Sequence, residues 1–134
     1  MNTVIPHLKQ LLTSIDINLF PYQKGNSIYI GKSCVKKYPK SFKIFTNKKF
    51  VAETFTKLAA LTIAKSKANP HLQYKICELD SKIEKHYNDC IFYKNALEKT
   101  KDKFKEDVLS TRLDISTEKI DCAVEELVNI FKVN

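Results

Sequence analysis

The side chains best suited to chemistry lie between residues 29 and 49. There Lys32, Lys36, Lys37, Lys40, Lys43, Lys48 and Lys49 interleave with Tyr29, Tyr38, Phe42 and Phe45. Ammonium groups beside aromatic faces can follow a polyanionic backbone while the rings stack on unpaired bases. The same lysines can also be solvated edge charges that keep a small sheet from pairing with another. A second constellation, His86 and Cys90, has the i, i+4 spacing with which one helical face can chelate a metal. Cys77 would sit about 20 Å from Cys90 along a helix, so no third ligand completes a site. Packing is the better reading, and no metal or other cofactor is expected. Ser33, Cys34 and Ser41 have no partner motif for a nucleophile, and Gly25 and Gly31, the only glycines, form no phosphate loop. Glu78, Asp80 and Glu84 read as a solvated helix face. Catalysis is not expected.

The charge is divided along the chain. Residues 1–70 hold 12 lysines against Asp16 and Glu53, a balance of +10; residues 71–134 hold 10 lysines, Arg112 and 13 acids, a balance of −2. The basic character therefore belongs to the first half. Arg112 is the only arginine, and lysine lacks the bidentate fork that reads bases or clamps phosphate, so sequence-specific recognition is poorly supported. A hydrophobic fraction of 43% is enough for a core. No apolar run approaches bilayer length, and MNTVIPHLKQ lacks a secretory pattern. Cys34, Cys77, Cys90 and Cys122 are scattered, as reduced packing cysteines are. A soluble, unexported chain with no membrane partner is expected.

The elements that must position these residues read as an α+β chain. Thr3 caps an N-terminal helix with Ile5, Leu8, Leu11, Leu12 and Ile15 on one face. From residue 19 the period shortens. Phe20 and Tyr22, then Ile28 and Ile30, Cys34 and Val35, Phe42 and Ile44, and finally residues 50–54 make a small antiparallel β-meander. Turns are expected at Gly25-Asn26, at Tyr38-Pro39-Lys40-Ser41 and at Asn47-Lys48-Lys49. Its inner face should hold Ile28, Ile30, Val35, Phe42, Ile44 and Val51. The meander packs on a helix starting after Thr54 or Thr56 and ended by Asn69-Pro70.

After Pro70 comes a helical extension. Leu72, Ile76, Leu79, Ile83, Tyr87, Cys90, Tyr93, Leu97, Phe104, Val108, Thr111 and Ile115 share one stripe about 120° wide at helical spacing. Residues 72–115 thus read as one helix about 60 Å long. Leu113, Ile120, Val124, Leu127 and Phe131 lie on the opposite side, which places a turn at 113–117 and a shorter returning helix over 118–132. The result is a long C-terminal α-helical hairpin with unequal arms. The division is a basic body over residues 1–70 and the hairpin over 71–134. A short second arm leaves part of the first uncovered, so self-association through Ile76, Leu79, Ile83, Tyr87, Cys90 and Leu97 is expected.

The runs SIYIGKSCVKK, SFKIFTNKKFVAETFTKLAALTIAK and YNDCIFYKNALEKTKDKF resemble small uncharacterised proteins of marine tailed (T4-like) bacteriophages. Those proteins place a lysine-edged meander and an Ala-rich helix before a helical hairpin. The resemblance spans most of the chain and carries no activity. It implies a virion or accessory component, located in the cytoplasm of an infected bacterium or in the virion. The expected function is a non-enzymatic assembly protein, a homo-oligomer or part of a larger complex, docking an acidic partner through the meander. The alternative is a DNA- or RNA-binding accessory protein using the same lysines and rings.

Overall fold

The computed structural model describes residues 23–24, 27–66 and 69–133. The expected N-terminal helix, and the strand placed at Phe20 and Tyr22, lie outside them. The chain is α+β. Five strands, β1 (Gln23–Lys24), β2 (Ser27–Ile30), β3 (Ser33–Lys37), β4 (Phe42–Thr46) and β5 (Lys49–Thr54), form an antiparallel meander in sequence order. Helix α1 (Lys57–Lys65) follows, then α2 (Pro70–Lys99) and α3 (Lys103–Val133), which pair as a hairpin.

Alternation along the strands divides the sheet into two faces. Ile28, Val35, Ile44 and Ala52 are direct cross-strand partners and all are buried, making the inner row. Val51, expected on that face, does pack partly buried against the core, but as an extra residue in the strand. Ile44 pairs with Ala52 and Phe45 with Phe50, so Val51 sits in a β-bulge between them. The bulge resets the alternation of β5, which turns Ala52 inward and leaves Phe50 outward. The Asn47-Lys48 turn closes the last hairpin with φ of 53° and 68°, the left-handed conformation such tight hairpin turns require.

Helix α1 lies between the sheet and the hairpin. Leu58, Ala59, Ala60, Leu61, Thr62, Ile63 and Ala64 are all buried, which is how a helix covered on both sides reads. Its alanines let the flanking layers approach closely. Thr62 turns its hydroxyl onto the Leu58 carbonyl at 2.7 Å and so carries no unsatisfied donor into the core. Thr56 caps the helix by accepting from the Ala59 N–H at 3.2 Å. Asn69 caps α2 in the same way for His71 and Leu72, with Pro70 in the first turn. Body and hairpin share one continuous core.

The hairpin differs from the sequence expectation in one respect. The chain turns at Thr100, Lys101 and Asp102, not at 113–117, and the arms are nearly equal at 30 and 31 residues. No glycine or proline marks the turn. Asp102 starts the second arm by accepting from the Phe104 N–H at 2.9 Å. The Ser116-Thr117 stretch stays helical, with buried Ser116 facing the core and the Thr117 hydroxyl satisfied on the Leu113 carbonyl at 2.8 Å. The opposed stripes fall out naturally: Leu113, Ile120, Val124, Leu127 and Phe131 are buried, while Phe104, Val108 and Ile115 face outward.

Candidate functional site

The meander places its lysines and rings on more than one surface. The face turned away from α1 carries two cross-strand rows. One runs Tyr29, Cys34, Phe45, Phe50 and the other Ser27, Lys36, Lys43, Glu53, each residue paired with the next across the strands. Tyr29 on β2 and Phe50 on the edge strand β5 are 43% and 58% exposed. Phe45 and Phe50 meet edge to face with centroids 5.9 Å apart. The small Cys34 between Tyr29 and Phe45 leaves a hollow of about 570 Å³, lined also by Gly31, Lys32, Lys36, Asn47 and Lys48. Its floor is a thiol, its walls are aromatic and its rim is cationic.

The electrostatics of this face are uneven. Lys36 and Lys43 lie directly opposite each other, a like-charge cross-strand pair that disfavours the free sheet. Both ammonium groups lean on rings, Lys36 at 5.3 Å from the Phe45 centroid and Lys43 at 4.6 Å from that of Tyr38. Glu53, next in the row, is engaged by the Ser41 hydroxyl. Glu53 lies directly opposite Lys43 and offsets part of the Lys36–Lys43 repulsion, while Lys36 stands at the cationic side of the row.

The other expected candidates lie elsewhere. Lys37 and Lys40 line a separate hollow of about 650 Å³ with Pro39, Ser41, Phe55 and Glu84. Lys37 stacks there over Phe42 at 4.6 Å. Lys49 pairs with Thr46, whose hydroxyl bonds to buried Ser33 on the inner side. The open face therefore unites Tyr29, Tyr38, Lys32, Lys36, Lys43 and Lys48, and adds Cys34 and Phe50. Phe50 could not be placed from the sequence because the Val51 bulge alters its phase. Cys34 was legible only as a residue alternating with Val35.

Ile76, Leu79, Ile83 and Cys90 are buried within the chain, and Tyr87 and Leu97 are half-buried against the same core. Their cover comes from α1 and from the full-length second arm, which closes off Ile76, Leu79, Ile83 and Cys90 and leaves Tyr87 and Leu97 partly exposed. Cys90 contacts the Thr117 hydroxyl at 3.8 Å, and burial pushes its thiol above the usual range, as it does for Cys77. A thiol held protonated is a poor metal ligand. His86, four residues earlier, meets Asp89 at 3.7 Å. Among the described residues no three His, Cys, Asp or Glu side chains converge as a metal site.

Asp80 corrects the sequence reading, which placed it on a solvated face. It is buried, accepting from the Phe55 N–H at 2.6 Å, the Thr56 N–H at 2.9 Å and the Thr56 hydroxyl at 2.8 Å. The carboxylate thus fastens the hairpin to the junction of β5 and α1. Burial raises its pKa in spite of those three hydrogen bonds.

Fold and face together define a basic α+β protein with an open aromatic sheet surface. No protein-family model matches the chain, and neither does any curated protein or solved structure. Among the described residues no helix is long and apolar enough to cross a membrane.

Proposed function

We propose that this chain is a non-enzymatic, single-stranded nucleic-acid-binding protein whose binding surface is the open face of its sheet. The observation that carries the reading is the row Tyr29, Cys34, Phe45, Phe50 beside the facing pair Lys36 and Lys43. Unpaired bases stack on sheet aromatics irrespective of sequence, and lysine point charges follow the phosphates. Duplex DNA keeps its bases inside and offers the rings nothing to stack on. The assembly reading through Ile76, Leu79, Ile83, Tyr87, Cys90 and Leu97 has less support, because those residues already pack within the chain. The setting we propose is the infected bacterial cell or virion that the resemblance to phage proteins implies.

The test is fluorescence anisotropy with labelled oligo-dT, oligo-U and a duplex of equal length over a salt series. Contacts from Lys32, Lys36, Lys43 and Lys48 give a slope of about −3 in log K against log salt. That is roughly a fifty-fold loss of affinity between 50 and 200 mM salt on the same scaling. Phe45→Ala should weaken single-strand binding about five- to hundred-fold, the worth of one stacked base, while leaving the weaker duplex binding unchanged. No single-strand binding at 50 mM salt, or equal binding by Phe45→Ala, overturns the proposal. Binding of an acidic polypeptide in place of oligonucleotide would return the face to a protein partner.

A further inference from the structure

The second arm of the hairpin carries a surface that the fold leaves over. Its buried side chains, Leu113, Ser116, Ile120, Ala123, Val124, Leu127 and Phe131, all face α1 and α2. On the other side Phe104, Val108, Thr111, Ile115 and Cys122 form an outward seam, with Phe104 75% and Ile115 47% exposed. The spacing alternates four and three residues, so these are the a and d positions of a heptad repeat: Val108, Ile115 and Cys122 at a, Phe104 and Thr111 at d. Within the seam Glu118 is the charged residue at a d position; beyond Cys122 the register meets Glu125 at d and Asn129 at a, which ends the apolar run.

The flanks of the seam separate by sign. Lys105, Arg112 and Lys119 occupy successive e positions, and Asp107, Asp114 and Asp121 successive g positions. In a parallel pair, g of one helix meets e of the next heptad on the other. Asp107 then faces Arg112, and Asp114 faces Lys119, of a second copy; Asp121 would face Glu126, so the complementary stretch ends at Cys122. Asp107 already attracts Lys103 at 3.8 Å in its own helix, an exposed pair that leaves it able to face a second cation. An antiparallel pair would set e against e and g against g, lysine on lysine and aspartate on aspartate.

We propose that two copies of this chain associate through the outer seam of α3 as a parallel two-stranded coiled coil. The occupant of the seam is a second copy because, from Phe104 to Cys122, the charge pattern complements itself in the parallel orientation and opposes itself in the antiparallel one. The groove of about 530 Å³ between the arms opens beside the seam and shares Ile115 and Cys122 with it, so the apolar surface is continuous. The body packs on the opposite side of α3. Both sheets therefore stay clear of the contact, with their open faces available. Glu118, facing its own copy, keeps the pair weak and reversible. This inference stands on α3 alone and does not depend on what the sheet binds.

Sedimentation velocity of the full chain under reducing conditions should show a concentration-dependent monomer–dimer equilibrium. Glu118→Leu should tighten it by about tenfold or more, as expected when a charge leaves a core position. Ile115→Lys should abolish it without altering helical content, since that side chain is not part of the internal core. With Cys34→Ser and Cys77→Ser in place, a short bismaleimide should link Cys122 to Cys122, because a parallel pair sets these a positions side by side. Monomer at every concentration, for the wild type and for Glu118→Leu alike, overturns the proposal. So does a dimer indifferent to Ile115→Lys. A dimer that is lost in Ile115→Lys but gives no Cys122 link overturns the parallel alignment.

Discussion

Replacing Asp80 by alanine tests how the hairpin is fastened to the sheet. The carboxylate accepts from two backbone N–H groups and one hydroxyl, and the residue is only 5% exposed. Truncation leaves those donors facing an apolar gap, and each buried donor without a partner costs about 1–3 kcal/mol. Two contributions reduce the total: the Thr56 hydroxyl can rotate, and a buried charge with its own desolvation cost is removed. The net expectation is a loss of roughly 2–4 kcal/mol, a large share of the ~5–15 kcal/mol that stabilises a typical domain. Urea unfolding followed by circular dichroism should show the midpoint lowered by about 1–2 M with an unchanged slope. The amides of Phe55 and Thr56 should exchange much faster than those in the middle of α1. Asp80→Asn, keeping one acceptor oxygen, should fall between the two. A variant within about 0.5 kcal/mol of wild type, the range of an ordinary surface substitution, would refute the assignment of Asp80 as the tie between layers.

Two further expectations concern the hairpin. Burial, reinforced by Lys119 and Lys85 and opposed by Asp89, lowers the pKa of His86, whose surroundings also include Lys82 and Glu118. A depressed pKa means the native state favours the neutral ring. Its contribution is fully present above the unfolded value near 6.5 and is lost as pH falls through the folded one. The urea midpoint of the wild type should therefore drop more than that of His86→Gln between pH 7.5 and pH 5, and the opposite order would count against a half-buried imidazole held neutral. Asp102→Ala removes the side-chain cap at the start of α3 and should cost about 1 kcal/mol, read as a lower thermal midpoint. A loss near zero would mean that mutual packing of the arms alone sets the turn.

Period and punctuation made most of the architecture legible. The change from alternation to helical spacing separates meander from helices. Pro70 marks the start of the hairpin, and the opposed stripes of Phe104 and Leu113 show that one straight helix cannot serve both. What stayed hidden depended on single side chains acting over a distance or on one irregular residue. Asp102 turns the chain without glycine or proline, while the β-branched and hydroxyl residues at 115–117, which looked like a break, remain helical, with the Thr117 hydroxyl turned back onto the Leu113 carbonyl. Val51 carries no mark of a bulge, yet it decides that Phe50 faces outward. Asp80 has the spacing of a surface acid, and its real partners lie 24 and 25 residues away in sequence. The lysines were recognisable as a group, but which of them share a surface follows from strand register, which composition does not encode.

The tight turn at Asn47-Lys48 sets two demands against each other. Lys48 holds a φ of 68°, a region in which an L-residue with a side chain costs roughly 1 kcal/mol relative to glycine. It also stands on the cationic rim of the hollow between Tyr29 and Phe45. Glycine at this position would relax the hairpin and delete a charge from the rim in the same stroke. The sheet is thus tensioned where its charge projects, and a version tuned for rigidity alone would lose a cation from that rim.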